Sequence, residues 1–260
     1  MKRIIVFTFS LISILITGCG PSSDELAITM VAQTDVASTL NAAEVSTDTP
    51  IPTDTPVPTK KIPPTKTPNI ALTKQHDDFF SLLESFEAKG YVDTSIGETT
   101  ILNPFKEEWA QMDWFRWWTF DFVAKDFLFK SHFEWSSALS TPEESGCGIV
   151  FGIQENGDYY VVFVDANRIL FMRKKGDYLY EIGKTRGSGR TDFGNPAETD
   201  FVIAVKDQKA YISVDGEITE YTLSVDQTTE GHFGYSILSG TNRDYGTRCE
   251  ITDSMIWITE

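Results

Sequence analysis

The chain has 260 residues, with 38 acidic against 22 basic side chains and a formal charge of −16. A surface this acidic repels phosphate backbones and anionic headgroups, which excludes nucleic acid as a partner and a purely electrostatic hold on a membrane. Once its low-complexity stretch is set aside, the chain is long enough for one domain with a real core and too short for two comfortable ones.

Lys2 and Arg3 form a basic start, and Ile4 to Ile16 is almost wholly apolar, the build of a secretory signal. That core of about 13 residues falls short of the ~20 a spanning helix needs, so it reads as a leader to be removed. Its end, Ile16-Thr17-Gly18-Cys19, resembles the lipobox of bacterial lipoproteins. The resemblance implies that residues 1–18 are cleaved, that Cys19 takes acyl chains of the palmitate kind, and that the protein faces the extracytoplasmic side of a cell membrane. Removal of Lys2 and Arg3 leaves a mature chain near −18, so the lipid must do the anchoring. Each buried methylene contributes about 0.8 kcal/mol, and stable attachment takes two or more chains.

Residues 19–72 turn to Thr, Pro, Ser, Ala and Asp. Thr47-Asp48-Thr49-Pro50-Ile51-Pro52 recurs as Thr53-Asp54-Thr55-Pro56-Val57-Pro58, and seven of the eleven prolines lie between Pro50 and Pro68. Proline fixes φ and removes donors, so this stretch is expected to be a disordered, extended linker without a core. At about 3.1 Å per residue, Pro50 to Pro68 would span roughly 60 Å and act as a stalk.

Residues 73–108 read as a helical extension packed on the domain that follows. Phe79, Leu82, Leu83 and Phe86 recur on one helical face, Asp77 and Asp78 suit its N-terminal end, and Gly90 can end it. Beyond Trp117 come short runs rich in Val, Ile, Phe and Tyr, separated by Gly, Asn and Asp, which read as strands. Asn156-Gly157 marks a hairpin. A two-residue turn there would pair Ile153 with Tyr160, Phe151 with Val162 and Ile149 with Val164. Both faces of that hairpin are apolar, as in a central strand pair of a sandwich, and Gly152 reads as a bulge. Asp215-Gly216 marks a second hairpin. About ten to twelve strands result over residues 109–260, an all-β, two-sheet antiparallel sandwich rather than a small barrel.

With Cys19 lipidated, only Cys147 and Cys249 remain, and an exported chain meets an oxidising compartment. A disulfide is the simplest outcome; two unrelated buried thiols are the alternative. No metal or cofactor is expected, since His76, His132 and His232 lie far apart and no cysteine pair has ligand spacing. Asn242 and Asp244 fall short of the six to eight oxygens Ca²⁺ takes, and turn chemistry accounts for them.

Gly146-Cys147-Gly148-Ile149-Val150-Phe151, Tyr159-Tyr160-Val161-Val162, Tyr211 to Gly216, and Gly234 to Asn242 followed by Gly246-Thr247-Arg248-Cys249 resemble, in order, the concanavalin A-like lectin/glucanase superfamily. Within it the chain is similar to the branch of laminin-G-like and 3-keto-disaccharide hydrolase-like domains. The resemblance covers roughly Trp109 to Glu260 and implies a jelly roll in which a late strand lies near an early one, bringing Cys249 toward Cys147. It leaves activity open, because this architecture carries binders and hydrolases alike.

No E-x-D-x-E run supplies paired carboxylates on one strand; Glu134-Trp135-Ser136 lacks the aspartate. There is no G-x-S-x-G and no complete G-x-G-x-x-G. Catalytic residues are therefore not assigned. Binding remains. Trp109, Trp114, Trp117 and Trp118 lie within ten residues, with Arg116 between them, and aromatic faces flanked by polar groups suit sugars. Packing at the end of the sandwich is the competing role for these rings. Gln154 with Tyr159, and Arg173 with Tyr178 and Tyr180, are further candidates. The expected function is non-catalytic binding of carbohydrate or another cell-surface ligand. A glycoside hydrolase and a structural or sensory ectodomain with a protein partner are the alternatives.

Overall fold

The computed structural model describes residues 70–139, 144–183, 189 and 191–259. The leader, Cys19 and the Thr/Pro stalk up to residue 69, with the expectations placed on them, lie outside the described residues; residues 70–72, expected in the linker, instead begin the helix. One helix, α1 (Ile70–Ala88), is followed by thirteen strands: β1 (Gly97–Ile101), β2 (Phe105–Trp109), β3 (Trp114–Ala124), β4 (Phe127–Ser137), β5 (Gly146–Ile153), β6 (Tyr159–Asp165), β7 (Ile169–Lys175), β8 (Tyr178–Glu181), β9 (Ala197–Lys206), β10 (Lys209–Val214), β11 (Glu217–Thr222), β12 (Gly231–Ser239) and β13 (Thr247–Thr259). They form an antiparallel two-sheet jelly-roll sandwich. One sheet runs β3-β12-β5-β6-β7-β8; the other runs β1-β13-β4-β9-β10-β11, with β2 also paired to β13. Residues 73–108 thus contribute two strands as well as the helix. β1 lies along Met255–Thr259 and β2 along Thr247–Ile251, in succession on one side of β13.

The aromatic stripe of α1 packs as its spacing predicts, but the helix starts at Ile70, so Asp77 and Asp78 lie about two turns inside it rather than at its N-terminal end. Phe79, Leu83 and Phe86 are buried against Leu128, Val202, Ala204, Tyr211, Met255 and Trp257 on the outer face of the seven-stranded sheet, each side chain contributing about 1.5–3 kcal/mol. The helix stops at Gly90, whose φ of 76° is left-handed. The Gly90 amide donates to the Glu87 carbonyl (2.7 Å) and the Tyr91 amide to the Phe86 carbonyl (2.9 Å), the double closure of a Schellman cap. Its usual apolar contact is made by Phe86 and Tyr91, with ring centroids 5.7 Å apart.

Between the sheets lies one core in which Phe127, Phe129, Phe133, Phe151, Tyr160, Phe171, Phe201 and Phe233 are fully buried. The β5–β6 hairpin presents the expected faces: Cys147, Ile149, Phe151, Tyr160, Val162 and Val164 point into that core, while Val150, Tyr159, Val161 and Phe163 point outward. Its register differs by two residues, Phe151 pairing with Tyr160 and Ile149 with Val162. The cause is the turn. Residues 154–158 form a five-residue loop closed by the Gly157 amide on the Gln154 carbonyl and the Gln154 amide on the Asp158 carbonyl, both 2.9 Å, in place of a two-residue turn. A shift of two conserves side-chain parity, so the faces survive as far as Phe151; Ile153, expected on the inner face with Tyr160, lies beyond the Gly152 bulge and packs on the outer face instead.

Gly152 is a bulge, with φ of 60° and one extra β5 residue against β12 between the pairs His232–Ile153 and Gly234–Val150. A second bulge on β13 lies between the pairs Thr252–His132 and Met255–Lys130, where Asp253 takes a φ of 52°. It switches the strand's parity: Cys249 and Ile251 point inward before it, and Ile256 points inward after it. Asp215-Gly216 makes the second hairpin, with Val214 opposite Glu217. Cys147 on β5 and Cys249 on β13 are joined by a disulfide, Cα–Cα 5.6 Å, so the bond ties one sheet to the other.

Candidate functional site

Of the candidate residues, the structure assembles Arg173, Tyr178 and Tyr180 into one exposed group. β8 is an edge strand with all four residues exposed, and alternation places Tyr178 and Tyr180 on one side of it. They are 68% and 45% exposed, too open for core packing, and their ring centroids stand 6.2 Å apart. Arg173, opposite Tyr180 on β7, carries its guanidinium 5.1 Å from the Tyr180 centroid. Its Nη1 donates to Asp226 Oδ1 at 2.7 Å, and Lys175 Nζ pairs with the other oxygen of the same carboxylate. Hydrogen bonds from Lys175, Ser224 and Arg173 hold the Asp226 carboxyl well below the usual aspartate range. Two solvent-exposed aromatic rings, Tyr178 and Tyr180 with Arg173 over one face of the latter, therefore lie beside a fixed carboxylate and two cations. Such a surface offers apolar rings for the hydrophobic face of a pyranose and both donors and acceptors for its hydroxyls. Sequence reasoning missed Lys175, Ser224 and Asp226, the last lying in a loop between β11 and β12 that no local pattern marks.

The tryptophan group divides by strand parity. Trp118 packs toward the main core together with Phe120 and Phe122. Phe115 and Trp117 lie on the outer face of the six-stranded sheet. Arg116 sits between Trp109 and Trp118, 5.4 Å and 5.0 Å from their centroids, so those two faces are already occupied. Trp117 and Tyr159 meet at 4.9 Å. Tyr159 is 4% exposed, and burial pushes its phenol up to about 12. Trp114, stacked on Phe115 at 5.4 Å, is the exposed member at 48%. Gln154 donates from its amide to the carbonyls of Gly152 and Glu230, which fastens the β5–β6 loop to the segment before β12. Three of the four tryptophans thus serve chiefly as packing.

A recess on the other sheet had no place in the sequence reading. α1 covers one half of the outer face of the seven-stranded sheet. The other half carries a recess of about 340 Å³ lined in part by Glu134, Ser136, Glu198, Arg248 and Glu250. Glu198 on β9 faces Glu134 on β4, which faces Glu250 on β13, so three glutamates form a row across adjacent strands. One ligand atom each from Glu134, Glu198 and His132 lies within 4.8 Å of the other two. The sequence shows only part of this, an alternation of polar side chains in His132-Phe133-Glu134-Trp135-Ser136 and Glu198-Thr199-Asp200, because carboxylates on neighbouring strands leave no motif along the chain.

No family model matches the chain, and no curated protein matches it. Among solved structures it is similar to the carbohydrate-binding module CBM66 from Bacillus subtilis, at 13% identity over 62% of this chain and 96% of that one, TM-score 0.43. It is also similar to the Crh5 transglycosylase, at 12% identity over 64% and 80%, TM-score 0.41. A third is the Aspergillus kawachii beta-fructofuranosidase, at 11% identity over 65% of this chain and 28% of that one, TM-score 0.43. Likenesses of this degree assign neither ligand nor reaction.

Proposed function

We propose that this protein is a carbohydrate-binding sandwich held outside the cytoplasmic membrane by a lipidated Cys19 and a Thr/Pro stalk, and that it binds without cleaving. The observation that carries the reading is the pair of solvent-exposed tyrosine rings on β8, Tyr180 bearing Arg173 on one face, beside the Arg173–Asp226–Lys175 group. An edge strand with two large aromatics turned to solvent is a poor choice for stability alone, since each exposed ring forgoes the burial that aromatics ordinarily supply. The charged groups beside them are mutually paired and so pre-set in position. Screening of the full-length chain on a glycan array, with Tyr178→Ala and Tyr180→Ala beside the parent, tests it. Loss of a glycan signal in both variants, with circular dichroism unchanged, is expected. Signal lost instead in Trp114→Ala would move the site to β3, and retention in all three would end the reading. Acyl labelling abolished by Cys19→Ser tests the anchor.

A hydrolytic reading draws on Glu134 and Glu198, whose carboxylate oxygens come within 4.8 Å, near the ~5–5.5 Å of retaining glycosidases. Both residues are exposed on an open sheet face, without the apolar enclosure that keeps an acid protonated near neutral pH. Turnover of an aryl glycoside by the parent but not by Glu134→Gln would establish it.

A further inference from the structure

His132 has a fixed orientation. Its Nδ1 is 2.9 Å from Asp200 Oδ1, and since a carboxylate accepts, Nδ1 carries the proton of the neutral ring and Nε2 keeps its lone pair. Nε2 looks toward Glu134, 3.7 Å from Oε1. The three donor residues come from two neighbouring strands, β4 supplying His132 and Glu134 and β9 supplying Glu198 directly opposite Glu134. Like charges facing each other across a strand pair are destabilising. Elsewhere on this face such charge is answered, Glu250 by Lys106 and Glu108 by Arg248. Among the described residues neither Glu134 nor Glu198 has a lysine or arginine partner. The unrelieved carboxylate pair therefore stands next to an imidazole whose free nitrogen is already aimed.

We propose that His132, Glu134 and Glu198 bind one first-row divalent cation, of which zinc is the natural probe. Ligands of a tetrahedral ion with ~2.1 Å bonds stand about 3.4 Å apart, so the present separations close with small side-chain rotations. An imidazole in the set selects against Ca²⁺ and Mg²⁺, which take oxygens in larger number. Asp200 is the outer partner that positions the histidine, the arrangement by which a carboxylate orients a metal-bound imidazole. Three protein ligands leave at least one coordination position open at the recess. The site lies on the other sheet from the tyrosine platform and does not depend on it.

Isothermal titration of zinc chloride into the full-length, untagged, chelator-treated protein tests the proposal, with thermal melts confirming that each variant is folded. One equivalent is expected to bind saturably. His132→Ala, Glu134→Gln and Glu198→Gln should each weaken binding tenfold or more, and Asp200→Asn by about 10- to 100-fold. Glu217→Gln, on β11, should leave it unchanged. Calcium chloride should give no saturable heat. Absence of saturable zinc uptake would overturn the site. So would uptake indifferent to His132→Ala, or uptake equally weakened by Glu217→Gln, because either result describes a diffuse acidic surface.

Discussion

Opening the Cys147–Cys249 disulfide should be among the largest single perturbations available to this fold. The two cysteines are 102 residues apart in sequence, and both are fully buried. In the chain-entropy model, cross-linking a loop of about 100 residues removes enough freedom from the unfolded chain to be worth roughly 4.7 kcal/mol at 25 °C. That compares with the 5–15 kcal/mol net stability of an ordinary domain, so loss of the bond would remove a large share of the total. The bond also joins β5 of one sheet to β13 of the other, so it ties the two layers themselves and not only neighbouring strands. Because the sulfurs are buried, the comparison is best made by reducing the unfolded protein and refolding it with reductant present. This leaves the side-chain volumes of the core almost unchanged, which a Cys→Ala pair would not. Urea unfolding followed by tryptophan fluorescence, with thiols counted at each point, should show a midpoint lowered by the equivalent of about 3–5 kcal/mol. The slope should steepen modestly, because the uncrosslinked unfolded chain exposes more surface. A loss under about 1 kcal/mol, with both thiols shown to be free, would refute the reasoning and place the cross-link's benefit outside the unfolded state.

Other outcomes follow from single positions. Gly90→Ala forces an L residue into the left-handed cap; no atom lies within 4 Å of the added methyl, so the cost is conformational, about 1–2 kcal/mol by thermal or urea unfolding. Phe233→Ala empties a fully buried site that contacts the rings of Phe120, Phe122, Phe127 and Phe129, and should cost about 3–5 kcal/mol; a loss near 1 would mean that the core collapses around the gap. The folded-state pKa of Asp226 is depressed, so the stability it contributes is complete above the unfolded value near 3.8 and is lost only as pH falls through the lower folded value. Carboxyl NMR should accordingly find Asp226 ionised at pH 3, with its titration moving upward in Lys175→Ala. A midpoint in the ordinary aspartate range would show that the ion group does not persist in solution.

Local chemistry was enough to read much of this protein from its residues. The stripe of Phe79, Leu83 and Phe86, the stop at Gly90, and the inward and outward faces of the Gly146–Asp165 hairpin all depend on side-chain period and backbone freedom, properties a short segment carries with it. The cysteine pair was legible by exclusion, once Cys19 was given to lipid. The tyrosines and Arg173 were legible as a group because they sit on one hairpin.

What only the tertiary structure decided is whatever depends on which strands become neighbours. The two-residue shift between β5 and β6 came from a loop closed by backbone hydrogen bonds, which the Asn156-Gly157 cue does not reveal, and the extra residue at Asp253 is set by its partner strand, whereas the bulge at Gly152 was legible from the glycine itself. β1 and β2 are strands chiefly because β13 offers them a partner along Thr247–Thr259. Glu198 meets Glu134 through sheet order alone, since hydrogen bonding between strands brings together side chains that are far apart along the chain, and Asp226 meets Arg173 because the β11–β12 loop folds back over β7. Periodicity specifies which face a side chain takes, and pairing specifies what it meets there.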